Sequence, residues 1–364
     1  MDRVTGLISA NYETKAFGSL TSERTIASLP YGGRYRMIDF PLSNMVNSGI
    51  QTVGLITPYK YRSVMDHIGA GKEWSLDRKN GGLFILPGTV FGVSSSQSRF
   101  LLRDMKRNEV FLKRSQAEYV LVTSTDGVYN MDYRPMVEKH IESGADITLL
   151  YREAVEDATN DLGLLLNGDQ VTGFTHGGLK GENLFRNCFI LSRALLMKIL
   201  EWYATVDYLD IFEALEPDLE KMDIRAYRFP GYIRTIATVR DYFEHSMELL
   251  RTEIRAELFS RDMPIMTKVQ DSVPSKYFKG AVVKNALIPA GCVIEGTVEN
   301  SILFRGVKVA PGAVVRNSIL MQSCVVESGA VVENAILDRG NTIAAGTVLK
   351  GSPDNVFILN KHLI

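Results

Sequence analysis

Asp126 is the residue best placed to do chemistry. It stands two residues beyond the apolar run Tyr119-Val-Leu-Val-Thr-Ser124, which reads as a strand. Ligands of α/β sheets collect at the carboxyl ends of such strands. A carboxylate there can hold a divalent cation, and by position alone it serves as readily as a cap or loop residue. The three cysteines, Cys188, Cys292 and Cys324, have neither metal-type nor paired spacing. They read as small buried apolar residues in a reducing cytoplasm.

The elements that must position Asp126 alternate between strand and helix over residues 1–252. Strand patterns cover Val4–Ser9, Thr52–Thr57, Tyr119–Ser124 and 146–152, and helical patterns cover 43–47, 98–113, Arg134–Ser143 and 193–203. This order predicts an α/β domain, with a mainly parallel sheet and helices on both faces. Residues 253–278, carrying Pro264 and Pro274, read as a linker.

A different rhythm occupies 279–364. Asn300-Ser-Ile-Leu, Asn317-Ser-Ile-Leu and Asn334-Ala-Ile-Leu recur every 17 residues, and a looser copy begins at Asn285. Val309, Val315, Leu320, Val326, Val332, Leu337, Ile343 and Leu349 follow at steps of 6, 5, 6, 6, 5, 6 and 6. Three short strands per coil predict a left-handed parallel β-helix, whose coils bury their aliphatics only by stacking. Asn and Gly at the corners tolerate left-handed backbone. The coils contain no histidine, since His362 lies beyond them, so acyl transfer on a histidine base is excluded there. Their open ends and flat faces predict an oligomer.

Composition sets the frame. A chain of 364 residues is long for one core. Its 45% hydrophobic and 23% charged residues are those of a globular protein. A net charge of −1 gives no footprint for nucleic acid or an acidic membrane. The start Met-Asp-Arg lacks the pattern of a secretion signal, so the expected location is cytoplasmic.

Several blocks together resemble the bacterial glucose-1-phosphate adenylyltransferases. They are Gly32-Gly-Arg-Tyr-Arg-Met-Ile-Asp-Phe-Pro-Leu-Ser-Asn44, Asn47-Ser-Gly-Ile50, Tyr59-Lys-Tyr-Arg-Ser63, His67-Ile-Gly-Ala-Gly-Lys-Glu-Trp74 and Asp126-Gly-Val-Tyr-Asn-Met-Asp-Tyr133. The likeness runs over essentially the whole chain. It implies a tetramer that makes ADP-glucose and pyrophosphate from ATP and glucose 1-phosphate, for glycogen synthesis. It also implies Mg²⁺ on two carboxylates, of which Asp126 is the first. Asp126 and Tyr129, within the last block, become substrate or effector candidates. Arg24, Arg34 and Arg36 lie near where the family binds phosphorylated effectors, although such arginines are as readily explained by surface solvation.

The parts that would touch phosphate and metal depart from the family pattern. The phosphate loop, Ala-Gly-Gly-x-Gly-Thr-Arg-Leu in the family, reads Ala10-Asn-Tyr-Glu-Thr-Lys-Ala-Phe17. Asn11, Tyr12 and Thr14 replace its glycines, and Ala16 replaces its arginine. Glu13 brings negative charge, and Lys15 is one residue out of register. The lysine of Arg-Ala-Lys-Pro is Ile26, the second metal aspartate is Thr235, and the sugar-phosphate lysine of Glu-Lys-Pro is Gly177. Phosphoryl transfer needs those charges, so the resemblance implies little or no activity for this chain alone. It points to the non-catalytic companion subunit of some Gram-positive bacteria. That role implies a catalytic homologue as partner, which carries the Mg²⁺. No tightly bound cofactor is expected here, with at most weak Mg²⁺ at Asp126.

Overall fold

The architecture comes from a computed structural model, which describes residues 1–12, 15–58, 60–89, 98–155 and 157–360. Alternation along the strands decides which face each side chain meets. Leu7, Ile56, Val120, Val122, Phe189 and Leu191 enter one core with Leu196, Ile199 and Leu200 of the helix Arg193–Trp202. Their neighbours Ile8, Leu55, Leu121 and Ile190 point the other way. There they meet Met45 of the helix Asp39–Asn47 and Met136 and Val137 of the helix Arg134–Ser143. Helices therefore cover both faces, as the pattern predicts.

The nine-stranded sheet runs in the order Gly82–Pro87, Thr52–Thr57, Val4–Ser9, Tyr119–Ser124, Asn183–Ser192, Ile147–Glu153, Ile224–Arg228, Gln170–Gly178, Ala158–Asn167. Its first four strands are parallel. Beyond them the sheet is mixed: Asn183–Ser192 is antiparallel to both neighbours, and Ala158–Asn167 forms a hairpin with Gln170–Gly178. The two strands of that hairpin are joined by only two residues, a connection open to antiparallel pairs alone.

Residues 98–113 do not form the single helix expected. Helices Leu102–Arg107 and Glu109–Arg114 are separated at Asn108, whose amide donates to the carbonyls of Asp104 and Pro87. This side chain competes with the helix for its own backbone partners.

The repeats wind into a parallel β-helix. Val309, Val315, Leu320 and Val326 pair with Val326, Val332, Leu337 and Ile343 one coil on. These aliphatics form one buried column. The corner residues Asn285, Asn300, Asn317 and Asn334 have φ of 45°, 44°, 44° and 49°. A hydroxyl ladder joins the coils, with Ser318 N–H donating to Ser301 Oγ and Ala335 N–H to Ser318 Oγ, both at 3.1 Å.

The two units share a core. Phe17, Leu20, Ile26, Tyr31, Phe40 and Tyr242 pack with Ile302, Phe304, Ile319, Met321 and Ile336 of the coils. Gly33 (φ 83°) allows the close approach, because a Cβ there would stand 3.0 Å from the Leu303 carbonyl oxygen. The stretch expected as a linker is partly ordered by this contact. It contains most of the helix Thr252–Leu258, and Met266 exchanges hydrogen bonds with Ser43.

The corner asparagines generate a prediction. Asn317→Val should destabilise the chain by about 1–2 kcal/mol, the cost of left-handed backbone for a residue with a bulky Cβ, whereas Asn317→Gly should be near neutral. Urea denaturation of the two variants checks this, and equal losses would contradict it.

Candidate functional site

The strand Tyr119–Ser124 delivers Asp126 to the sheet's carboxyl edge, and the next turn of chain folds back beneath it. Gly127–Tyr129 pairs antiparallel with Ile233–Thr235, setting Gly127 opposite Thr235. The Ile236 N–H donates to the Asp126 carbonyl at 2.8 Å. The two positions expected to carry metal carboxylates are thus brought side by side. One of them is a threonine.

Asp126 is 0% exposed. Its Oδ2 accepts from Arg99 Nε at 2.7 Å, its Oδ1 from Ser124 Oγ, and Asn187 Nδ2 approaches both oxygens at 3.2 and 3.4 Å. Burial works against the Arg99 charge, and Asp126 more than offsets it, holding the guanidinium above its ordinary pKa. The guanidinium carbon lies 4.7 Å from the centroid of the Tyr12 ring, within cation–π range. Tyr12 is itself buried and shares a hydrogen bond with Thr125 Oγ1 at 3.0 Å. Burial, with Asp126 adding to it, pushes its phenol well above the usual range, so the ring stays neutral. At a position where a loop glycine was expected, a tyrosine side chain fills the space.

A second buried pair lies alongside. Arg186 Nη1 meets Asp161 Oδ2 at 3.0 Å and Thr235 Oγ1 at 3.3 Å. Burial raises the Asp161 pKa and lowers that of Arg186, each partly opposed by the other. Two cavities open on either side of this pair, both lined by Asp161. One also touches Arg99, Asn187, His176 and Gly177. The other, the larger, touches Arg186, Thr235 and His245.

The remaining expected site residues are scattered. Ala16 is exposed, and Ile26 is buried in the shared core. Glu13, Thr14, Tyr59 and His362 lie outside the described residues, as does the Lys15 side chain. Tyr129 is not at a ligand surface: it is buried, and its hydroxyl is held by Thr123 and Tyr133 at 3.2 and 2.9 Å. Arg24 is drawn inward onto Asp338 of the coils as a buried ion pair. Arg36 Nη1 donates to the Ser63 carbonyl at 2.6 Å, and burial with the nearby Arg24 and Arg339 lowers its pKa. Arg34 is exposed over the Tyr35 ring. The quoted blocks themselves build the frame. Asn44 Nδ2 donates to the Tyr129 carbonyl at 3.1 Å, and His67 Nε2 lies 2.6 Å from Asp39 Oδ1. All three cysteines are buried, with the thiols of Cys188 and Cys324 pushed up to about 12, in each case chiefly by burial.

Sequence reasoning missed Arg99, Asn187, Asp161 and Arg186. None lies in a motif, and only the positive φ of Asn187 (49°) marks a special backbone position. Among the described residues, no group of three or more His, Cys, Asp or Glu is placed to hold a metal. Asp126 does not suit Mg²⁺, which needs several oxygen ligands. The carboxylate already faces a guanidinium and an amide N–H. Nor is any helix among the described residues long and apolar enough to cross a membrane.

Comparison with known proteins agrees with this architecture. Residues 15–175 match the family model for nucleotidyl transferases, and residues 272–354 match the GlmU-like C-terminal hexapeptide model. The chain is 34% identical to the glycogen biosynthesis protein GlgD of Bacillus subtilis, over 85% of this chain and 82% of that protein. It is 36% identical to GlgD of Geobacillus stearothermophilus, over 86% and 83%. It is also 32% identical to the glucose-1-phosphate adenylyltransferase of Pseudothermotoga lettingae, over 86% and 77%.

His245, against the larger cavity, and His140, bonded to Thr148 at 2.8 Å, make stability depend on pH. Burial lowers both from 6.5 to about 4. The unfolded chain therefore binds protons that the fold refuses. Their contribution is full above pH ~6.5 and is lost as pH falls towards 4, by about 2–3 kcal/mol each at pH ~4.5. Chemical denaturation across that range should show a shallower pH slope for His245→Gln than for wild type. An unchanged slope would contradict the assignment.

Proposed function

Because the chain belongs to the glucose-1-phosphate adenylyltransferase family, we propose that it is a non-catalytic, regulatory subunit acting in glycogen biosynthesis beside a catalytic homologue. The Asp126–Arg99 ion pair carries this reading. Attack of a sugar phosphate oxygen on the α-phosphate of ATP concentrates negative charge, and metal and basic side chains must offset it. In this chain Asp126 is neutralised from within, and Thr235 has no charge to offer a metal. Tyr12 fills the place of a loop glycine, and Ile26 sits in the core where a lysine would reach for phosphate. Magnesium belongs to the partner's site.

Association runs through the coils and the sheet edges in a mixed tetramer. Among the described residues, the strand Val282–Leu287 is paired on one side only, with Thr297–Leu303, and leaves Val282 and Val283 exposed near Tyr277 and Phe278. An unpaired edge beside apolar surface favours a protein partner. Contacts made there would bias the partner towards its active conformation. Arg34 and Arg36 remain the candidates for an anionic effector, with Arg24 acting through its hold on Asp338.

The purified chain alone should form ADP-glucose at a rate at least about 10⁴-fold below a catalytic homologue, given ~10²–10³ for each missing contact. Mixed with such a homologue, it should raise the partner's rate or its effector response. Turnover by this chain comparable to the homologue's would make it an active enzyme instead. Unchanged kinetics on mixing would make it an inert scaffold.

A further inference from the structure

We propose that the Arg99 guanidinium is a built-in substitute for the divalent cation at Asp126, occupying the position from which a metal would neutralise that carboxylate. A carboxylate without solvent access must meet a positive charge or enough hydrogen-bond donors, or lose its own charge. At Asp126 the charge comes from Nε of Arg99 at 2.7 Å. The remaining neighbours are the Asn187 amide at 3.2 Å and the Ser124 hydroxyl. Arg99 and Asn187 both present N–H groups, where a metal shell would need oxygen lone pairs. The pocket is therefore inverted in polarity and built around an acceptor.

Arg99 is held there as firmly as a ligand. Its own N–H and that of Phe100 donate to Asp210 Oδ2 at 2.9 and 2.8 Å, and its carbonyl accepts from Ser9 Oγ at 2.5 Å. Asp210 is in turn the N-cap of the helix Ile211–Leu215, with Glu213 completing a capping box. Tyr12 closes the face of the guanidinium at 4.7 Å. A solvent-anchored arginine would have neither main-chain clamp nor aromatic lid. On the far side, Arg186 stands at Thr235, so a cation again lies beside the second expected metal position. The buried charges at the sheet edge thus form two internal pairs, Arg99–Asp126 and Arg186–Asp161. The inference uses the same site as the proposed function but needs no partner subunit, so the two fail separately.

The test uses the full-length chain and Mn²⁺ as the probe, read by electron paramagnetic resonance of the free ion and by thermal unfolding. Wild type should show no Mn²⁺ binding that depends on Asp126. Arg99→Met keeps the apolar stem but removes the charge. It should bind Mn²⁺ and gain about 1–2 °C in Tm at several-fold excess over Kd. Arg99→Lys should return to the wild-type silence, and Arg99→Met/Asp126→Asn should lose the response. A folded Arg99→Met variant blind to Mn²⁺ would overturn the proposal. If that variant fails to fold, the wild-type arm decides. Mn²⁺ binding by wild type that Asp126→Asn abolishes would mean that metal and arginine do not compete, and its absence supports the substitution.

Discussion

A carboxylate removed from water needs a positive charge or several hydrogen-bond donors at contact distance, and Asp126 is such a group. Its burial follows from the sheet: the strand Tyr119–Ser124 lies between Val4–Ser9 and Asn183–Ser192, and the chain then turns under Thr235. A fold that keeps this strand and this turn keeps the carboxylate. Removing one partner of such a buried pair typically costs about 3–5 kcal/mol. Arg99, its clamp at Asp210, the Tyr12 lid and Asn187 are consequences of that one demand. A mobile metal ion would satisfy it only when bound, whereas a covalently attached guanidinium satisfies it permanently. A guanidinium, unlike a metal ion, offers no open coordination position to a phosphate oxygen.

The frame around the site is independent of its chemistry. The glycine-led block from Gly32 approaches the coils at Gly33, binds Asp39 to His67, and clasps the Asp126 block through Asn44. Arg24–Asp338 and the shared apolar core then fix the β-helix to the first unit. Motifs that carry a family likeness are here load paths between layers. They can persist while the phosphate contacts change, because their partners are other parts of the same chain. The first unit and the coils are consequently coupled through packed contacts, which is the physical requirement for a surface event on one to be felt by the other.

Periodic features were open to reading from the residues. The 17-residue echo, the aliphatic steps and the corner asparagines each restate one local geometry many times, and the coil stacks them in that register. Strands such as Val4–Ser9 declare themselves because an apolar run flanked by turns has few alternatives. The reversed strand Asn183–Ser192 was not legible, since its direction shows only in its pairing with Tyr119–Ser124 and Ile147–Glu153, which lie well apart from it in the chain. The helix expected over 98–113 breaks at Asn108 for a reason that involves the distant Pro87 carbonyl.

By itself, then, the sequence determined the two-part architecture and the family likeness, and it singled out Ala16, Ile26, Thr235 and Gly177 as departures from the expected pattern, because each is a local pattern or a change within one. What surrounds Asp126 was decided only in three dimensions. Arg99 is 27 residues from Asp126, Asn187 is 61, and Arg186 is 25 from Asp161. Tyr12 reads as a missing glycine until its ring is seen against Arg99. Charge compensation acts through space at about 3 Å, and nothing in the spacing of these residues along the chain records that distance.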